Sequence, residues 1–169
     1  MDFLSLFPTI DLFILFLFAG AVVLHLVFIK KEKLLVDLIA LYTSFVLLIV
    51  LPIFSTQVSE WLTIHPLVRV GGFVGLSVLL YIALSFSNIG SFSKKISPTE
   101  FATSLIYRIG LMGLFFTTVI YFLPTSLQAY FGTLTNFLFG NLIVMLFWFV
   151  LPIFFAFAFK FKTRRGWIE

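Results

Sequence analysis

Five ionisable side chains fall within stretches of sequence that are otherwise apolar: Asp11, His25, Asp37, Arg69 and Arg108. An acid, an imidazole and a guanidinium brought together away from water can relay a proton, hold an anion, or lock helices through charge-assisted hydrogen bonds. A second group, Thr43, Ser44, Ser77, Thr117, Thr118 and Asn141, places hydroxyls and an amide deep in apolar runs, where they could line a solute path. Such hydroxyls more often bond back to their own helix. Other chemistries lack their residues. The chain has no cysteine and only two histidines, which removes thiolate chemistry and disfavours a metal site. It carries no Gly-x-Ser-x-Gly elbow, no His-Glu-x-x-His helix and no close pair of carboxylates. The sequence therefore assigns no catalytic residue, no cofactor and no metal.

The elements that must position these residues follow from composition. Of 169 residues, 62% are hydrophobic and 11% charged, and mean hydropathy is +1.19. A soluble domain carries ~25% charged residues and has no core large enough to hide so much apolar surface. The composition implies an integral membrane protein, and excludes disorder, a disulfide scaffold and nucleic-acid binding. Crossing a ~30 Å hydrocarbon layer takes ~20 apolar residues as a helix. Five such runs appear, at about 9–29, 34–54, 67–87, 101–123 and 136–159, predicting an all-α bundle of five transmembrane helices in a single domain, 1–169. A four-span alternative needs the last run to be re-entrant. Pro152 lies inside that run and predicts a kink there. Ser97-Pro98-Thr99-Glu100 has the form of a capping box for the fourth helix. Residues 55–66 and 88–97 read as polar links.

Ten of the eleven Lys and Arg fall at one end of these runs: Lys30, Lys31, Lys33, Lys94, Lys95, Arg108, Lys160, Lys162, Arg164 and Arg165. Only Arg69 falls at the other. The positive-inside rule then predicts a multi-pass plasma-membrane protein with the N-terminus outside and the C-terminus cytoplasmic. The segment 160–169 reads as a short basic tail, in which Lys160, Lys162, Arg164 and Arg165 face anionic lipid beside Phe161 and Trp167. Trp61, Tyr121 and Tyr130 fall near span ends, as interfacial aromatics do.

Spacing then gives geometric expectations. Asp11 and Arg69 each lie three residues after a proline that opens a helix, on spans running in one direction, so they share a depth near the outer face. They either pair or, the simpler expectation, reach separately for the interface. The Lys30–Lys33 turn folds the first two spans into a hairpin that sets His25 level with Asp37, with Arg108 able to join them. In the simpler arrangement His25 donates to a backbone carbonyl while Asp37 caps the second span and touches Lys33. Gly71-x-x-x-Gly75 permits close helix approach, expected within the monomer against Gly110 and Gly113 rather than between copies. Near mid-depth stand Phe18, Phe45, Val78, Phe115 and Phe147, with no ionisable residue close by, which disfavours proton- or sodium-coupled transport.

The sequence Ile10-Asp11-Leu12, followed by Lys30-Lys31-Glu32-Lys33-Leu34-Leu35, resembles the colicin V production (CvpA-like) family of bacterial inner-membrane proteins. The resemblance covers the first four helices, roughly 9–123: an acid opening the first span, a very short basic turn and an immediately returning helix. That family usually has Arg-Gly in the first turn, where this chain has Lys30-Lys31, and an Asp-Gly at the start of its fourth helix, where this chain has Arg108-Ile109-Gly110. The resemblance implies an assembly or envelope role in the inner membrane. The residues point the same way, to a structural or accessory protein working with lipid, with other membrane proteins or with copies of itself. The rival expectation is an oligomeric channel or facilitator lined by Thr43, Ser44, Thr117, Thr118 and Asn141.

Overall fold

Inside a bilayer the backbone has no partner but itself, so each apolar run must close its own hydrogen bonds as a helix. A computed structural model describes residues 9–95 and 101–158, and among them every regular element is helical. In chain order these are α1 (Thr9–Phe28), a 3₁₀ turn (Lys31–Lys33), α2 (Leu34–Phe54), α3 (Thr56–Ile64), α4 (Pro66–Ser85) and α5 (Asn88–Lys95). There follow α6 (Phe101–Phe122), the short turns α7 (Thr125–Gln128) and α8 (Thr133–Thr135), a π-helical turn (Asn136–Gly140) and α9 (Leu142–Ala158). Helices α1, α2, α4 and α6 are each long and apolar enough to cross a membrane. The segments Thr133–Gly140 and Leu142–Phe157 make a fifth span if the pair is counted as one, bent by 47°. The capping-box residues and the basic tail lie outside the described residues.

Helix α6 is the hub, and its sequence explains why. Tyr107, Leu111, Leu114 and Phe122 recur at helical spacing and pack with Leu34, Leu38, Leu41 and Leu48 of α2 and Phe73 of α4. On another face of the same helix small residues replace large ones. A Cβ built on Gly113 would sit 2.0 Å from the Trp148 ring, and one on Gly110 would meet Leu151 at 3.3 Å and Pro152 at 3.4 Å. These glycines thus admit α9, which supplies the bulk that α6 lacks. Gly71 and Gly75 meet nothing within 4 Å and are exposed, so the expected packing of these two pairs does not occur. The reason is rotational: Phe73 and Ser77 turn inward on α4 and carry the glycine stripe out to the surface.

The fifth apolar run departs from expectation in the same region. It does not break at Pro152, which lies buried within continuous α9. The bend falls at Asn141, whose backbone is extended (φ −84, ψ 136). Its side-chain oxygen accepts from the Ile143 backbone N–H at 3.0 Å and so starts the new helix. Carbonyls in the π turn gain side-chain donors: Trp148 Nε1 donates to the Leu138 oxygen at 2.7 Å and Thr117 Oγ1 to the Phe139 oxygen at 2.6 Å. In the turn before Pro152, the Tyr42 hydroxyl donates to the Phe149 oxygen. Pro152 itself stays inside the helix, its ring packed towards Gly110 of α6.

The two polar links are also helical. Ser55 caps α3, accepting from the Val58 N–H at 3.4 Å, and α3 buries Leu62 while leaving Trp61 exposed. Helix α5 folds back onto the basic turn, where Ser93 donates to the Glu32 carbonyl, and Lys33 Nζ reaches the Ser85 carbonyl at 2.7 Å. The bundle therefore has a lysine-rich end, closed by α5, and an opposite end carrying α3, α7 and α8.

Candidate functional site

Near the lysine-rich end, the last turn of α1, the first turn of α2 and the early part of α6 converge on three side chains. His25 Nε2 lies 2.8 Å from Asp37 Oδ2. Arg108 Nη1 lies 3.1 Å from His25 Nδ1 and donates to the His25 carbonyl at 2.6 Å. Arg108 Nε points back to Ser104 Oγ at 3.4 Å. His25 and Arg108 are buried, and Asp37 is half-buried.

Donor chemistry fixes the tautomer. A guanidinium can only donate, so Nδ1 must accept, which leaves the proton on Nε2 facing the carboxylate. A neutral imidazole thus bridges one cation and one anion, and the site carries no net charge. That balance is what makes three polar groups tolerable where burying an unpaired charge costs several kcal/mol. The structure brings His25, Asp37 and Arg108 together, in place of the simpler arrangement expected from sequence. Lys33, the expected neighbour of Asp37, is engaged with Ser85 in α4 instead. The His25 carbonyl is used too, as the acceptor for Arg108.

At the opposite end Asp11 is buried, but not against Arg69. Its carboxylate accepts from the Gly132 N–H at 2.9 Å, the Leu134 N–H at 3.0 Å and the Thr135 hydroxyl at 2.6 Å. Gly132 precedes α8, so an acid on the first span serves as the N-terminal cap of the last. Neither pairing with Arg69 nor separate snorkelling describes it, because the carboxylate is held by helix-end N–H groups, which favour an anion. The signal available in sequence was Gly132-Thr133-Leu134-Thr135, a turn and hydroxyl pair ahead of an apolar run. Arg69 is half-buried, and its Nε has no hydrogen-bond partner among the described residues.

The mid-span polar residues have separate fates. Ser44 donates to the Ala40 carbonyl at 2.7 Å on its own helix, Thr117 to Phe139, and Asn141 caps α9. Thr43 is half-buried, while the hydroxyls of Ser77 and Thr118 are buried with no hydrogen-bond partner among the described residues. Around them the bundle centre is aromatic. Phe18 meets Phe116 edge-on at 5.4 Å and Phe139 at 5.3 Å, Phe139 stacks on Trp148 at 6.1 Å, and Phe45 meets Phe149 at 4.7 Å. Among the described residues no group of three or more His, Cys, Asp or Glu could hold a metal ion.

Fold and site together define a class, an α-helical membrane protein whose buried ionisable groups are used in bonds between helices. In comparisons with protein-family models, curated proteins and solved structures, nothing matches this chain.

Proposed function

We propose that this chain is a multi-pass protein of the plasma membrane, the inner membrane of a bacterium, with its N-terminus outside and its C-terminus cytoplasmic. It serves there as a structural, assembly or accessory component without catalytic activity of its own. One observation carries the reading: most polar groups within the spans are spent on the fold. Asp11 caps α8, Ser44 and Thr117 bond to backbone carbonyls, and the Arg108–His25–Asp37 set is internally balanced. A transport path needs such groups turned towards water or solute, whereas among the described residues these are bonded within the fold and aromatic rings pack between them. The resemblance to the colicin V production family through the first four helices points to the same kind of role. The sidedness rests on the lysine-rich end and the positive-inside rule.

The test is accessibility scanning on this naturally cysteine-free chain. Single cysteines at Thr43, Ser44, Ser77, Thr117, Thr118 and Asn141 are challenged in intact membranes with a water-soluble thiol reagent. The expected result is protection at all of the deep positions, with labelling confined to Asn141 beside the bend. Labelling at several deep positions would reveal a hydrated path and hand the assignment to a channel or facilitator. Cysteines at Lys31 and Thr56, at opposite ends, read the orientation in the same experiment.

A further inference from the structure

Beside the buried His25–Asp37–Arg108 set lies a pocket of about 540 Å³, open at the lysine-rich end between α1 and α6. Its polar lining is Lys30, Lys31, Glu32, Ser104 and Arg108, and its walls are apolar, including Val27 and Phe101. With the charge of Arg108 balanced by Asp37 through His25, Lys30 and Lys31 still outnumber Glu32, so the pocket is electropositive. Arg108 is only 4% exposed, yet it lines this space. Its Nη1 is committed to His25 and its Nε to Ser104, and none of these bonds uses Nη2, which carries two N–H donors. A buried guanidinium held through Nε and Nη1 still offers the two N–H donors of Nη2 to an oxyanion.

The chemistry of the walls selects among oxyanions. Val27 and Phe28 on α1 and Phe101 on α6 are 68%, 75% and 70% exposed, an apolar surface running from the mouth of the pocket along the helices. The volume falls in the ~300–1,000 Å³ range of small-molecule sites, more than one phosphate fills. We propose that this pocket binds the phosphate of an anionic membrane lipid. Lys30, Lys31 and Arg108 take the phosphate, Ser104 supplies a hydroxyl, and an acyl chain lies against Val27 and Phe28. The inference rests on the membrane setting alone and stands whether the bundle is accessory or a channel. It concerns a site formed by folding, distinct from the general attraction of the basic tail at 160–169.

The test uses the full chain in detergent, followed by native mass spectrometry during titration with phosphatidylglycerol or phosphatidylcholine. Phosphatidylglycerol is expected to load one tight site that phosphatidylcholine does not. Lys30→Gln/Lys31→Gln, two exposed positions, should weaken that site by roughly 10- to 30-fold at ~1 kcal/mol per cation near an anionic surface. The charge-matched control Lys160→Gln/Lys162→Gln should change it less than about twofold. Millimolar inorganic phosphate should not displace the lipid, because it lacks the chain that the apolar wall holds. Equal loading by the two lipids, equal weakening by the two double variants, or displacement by inorganic phosphate would each overturn the assignment. Arg108→Lys, which keeps the charge and loses the Nη2 donors, should also weaken the site; unchanged affinity would remove Arg108 from it.

Discussion

Asp11 and Thr135, 124 positions apart, share a 2.6 Å hydrogen bond that ties the first turn of α1 to the start of the last span. The same carboxylate takes two backbone N–H groups, so it closes the bundle by capping one helix from another.

Replacing Asp11 with Ala should therefore act on the far end of the chain. Two half-buried N–H donors and one buried hydroxyl lose their acceptor, at up to about 1–3 kcal/mol for each group left unsatisfied. Thermal unfolding in detergent should show a marked loss for Asp11→Ala and a smaller one for Asp11→Asn. Arg69→Ala should show no coupling to Asp11 in a double-mutant cycle; coupling above ~0.5 kcal/mol would mean the two charges do interact.

His25→Ala should be more damaging than loss of one hydrogen bond, since it leaves Arg108 and Asp37 unpaired across the gap it creates. Breaking a buried charged pair costs about 3–5 kcal/mol, whereas replacing both charges by apolar residues is often close to neutral. Arg108→Met/Asp37→Leu is accordingly expected to melt closer to the wild type than Arg108→Met alone. If the single and double variants fall by the sum of independent effects, the imidazole does not couple the two charges.

The tautomer can be seen directly. Nitrogen NMR of His25 should report a protonated Nε2 and an unprotonated Nδ1, because the guanidinium offers Nδ1 only donors. A protonated Nδ1 would mean that Arg108 is not its partner.

Glycine substitutions should separate the two glycine pairs. Gly113→Ala drives a methyl group into the Trp148 ring, an overpacking of about 1–3 kcal/mol. Gly71→Ala and Gly75→Ala add a methyl group to open surface and should be neutral or stabilise by up to about 1 kcal/mol through helix propensity. Comparing the melting temperatures of the three variants tests which helix face is packed.

At the bend, Thr117→Val should destabilise by about 1–2 kcal/mol, having removed the donor to the Phe139 carbonyl. Pro152→Ala should leave the bend in place, because the change of direction lies at Asn141. Distances between spin labels at residues 137 and 154 would check this, and straightening in Pro152→Ala would shift the origin of the bend to the proline.

Much of this was legible in the chain itself. Runs of ~20 apolar residues, bounded by Lys30–Lys33, Pro66 and Pro124, placed the four long helices to within about two residues, since backbone hydrogen bonding in an apolar solvent permits little else. The depth match of His25 with Asp37 followed from the shortness of the basic turn. Whether they would bond to each other or to nearby backbone did not follow, because each had a local partner within reach and the competition was decided by Arg108 arriving from α6.

Composition and hydropathy by themselves determined the solvent, the helical class and the levels at which polar residues sit, because these depend on distance along one helix axis. Rotation about that axis and the choice of neighbours were decided only by packing. Phe73 and Ser77 turned Gly71 and Gly75 outward, Gly110 and Gly113 took in Trp148 and Pro152, and Asp11 bonded to a turn at the other end of the sequence instead of to the cation beside it in depth. Those outcomes arise from contacts between segments far apart in the chain, where small differences in fit and donor geometry outweigh anything the local pattern of residues expresses.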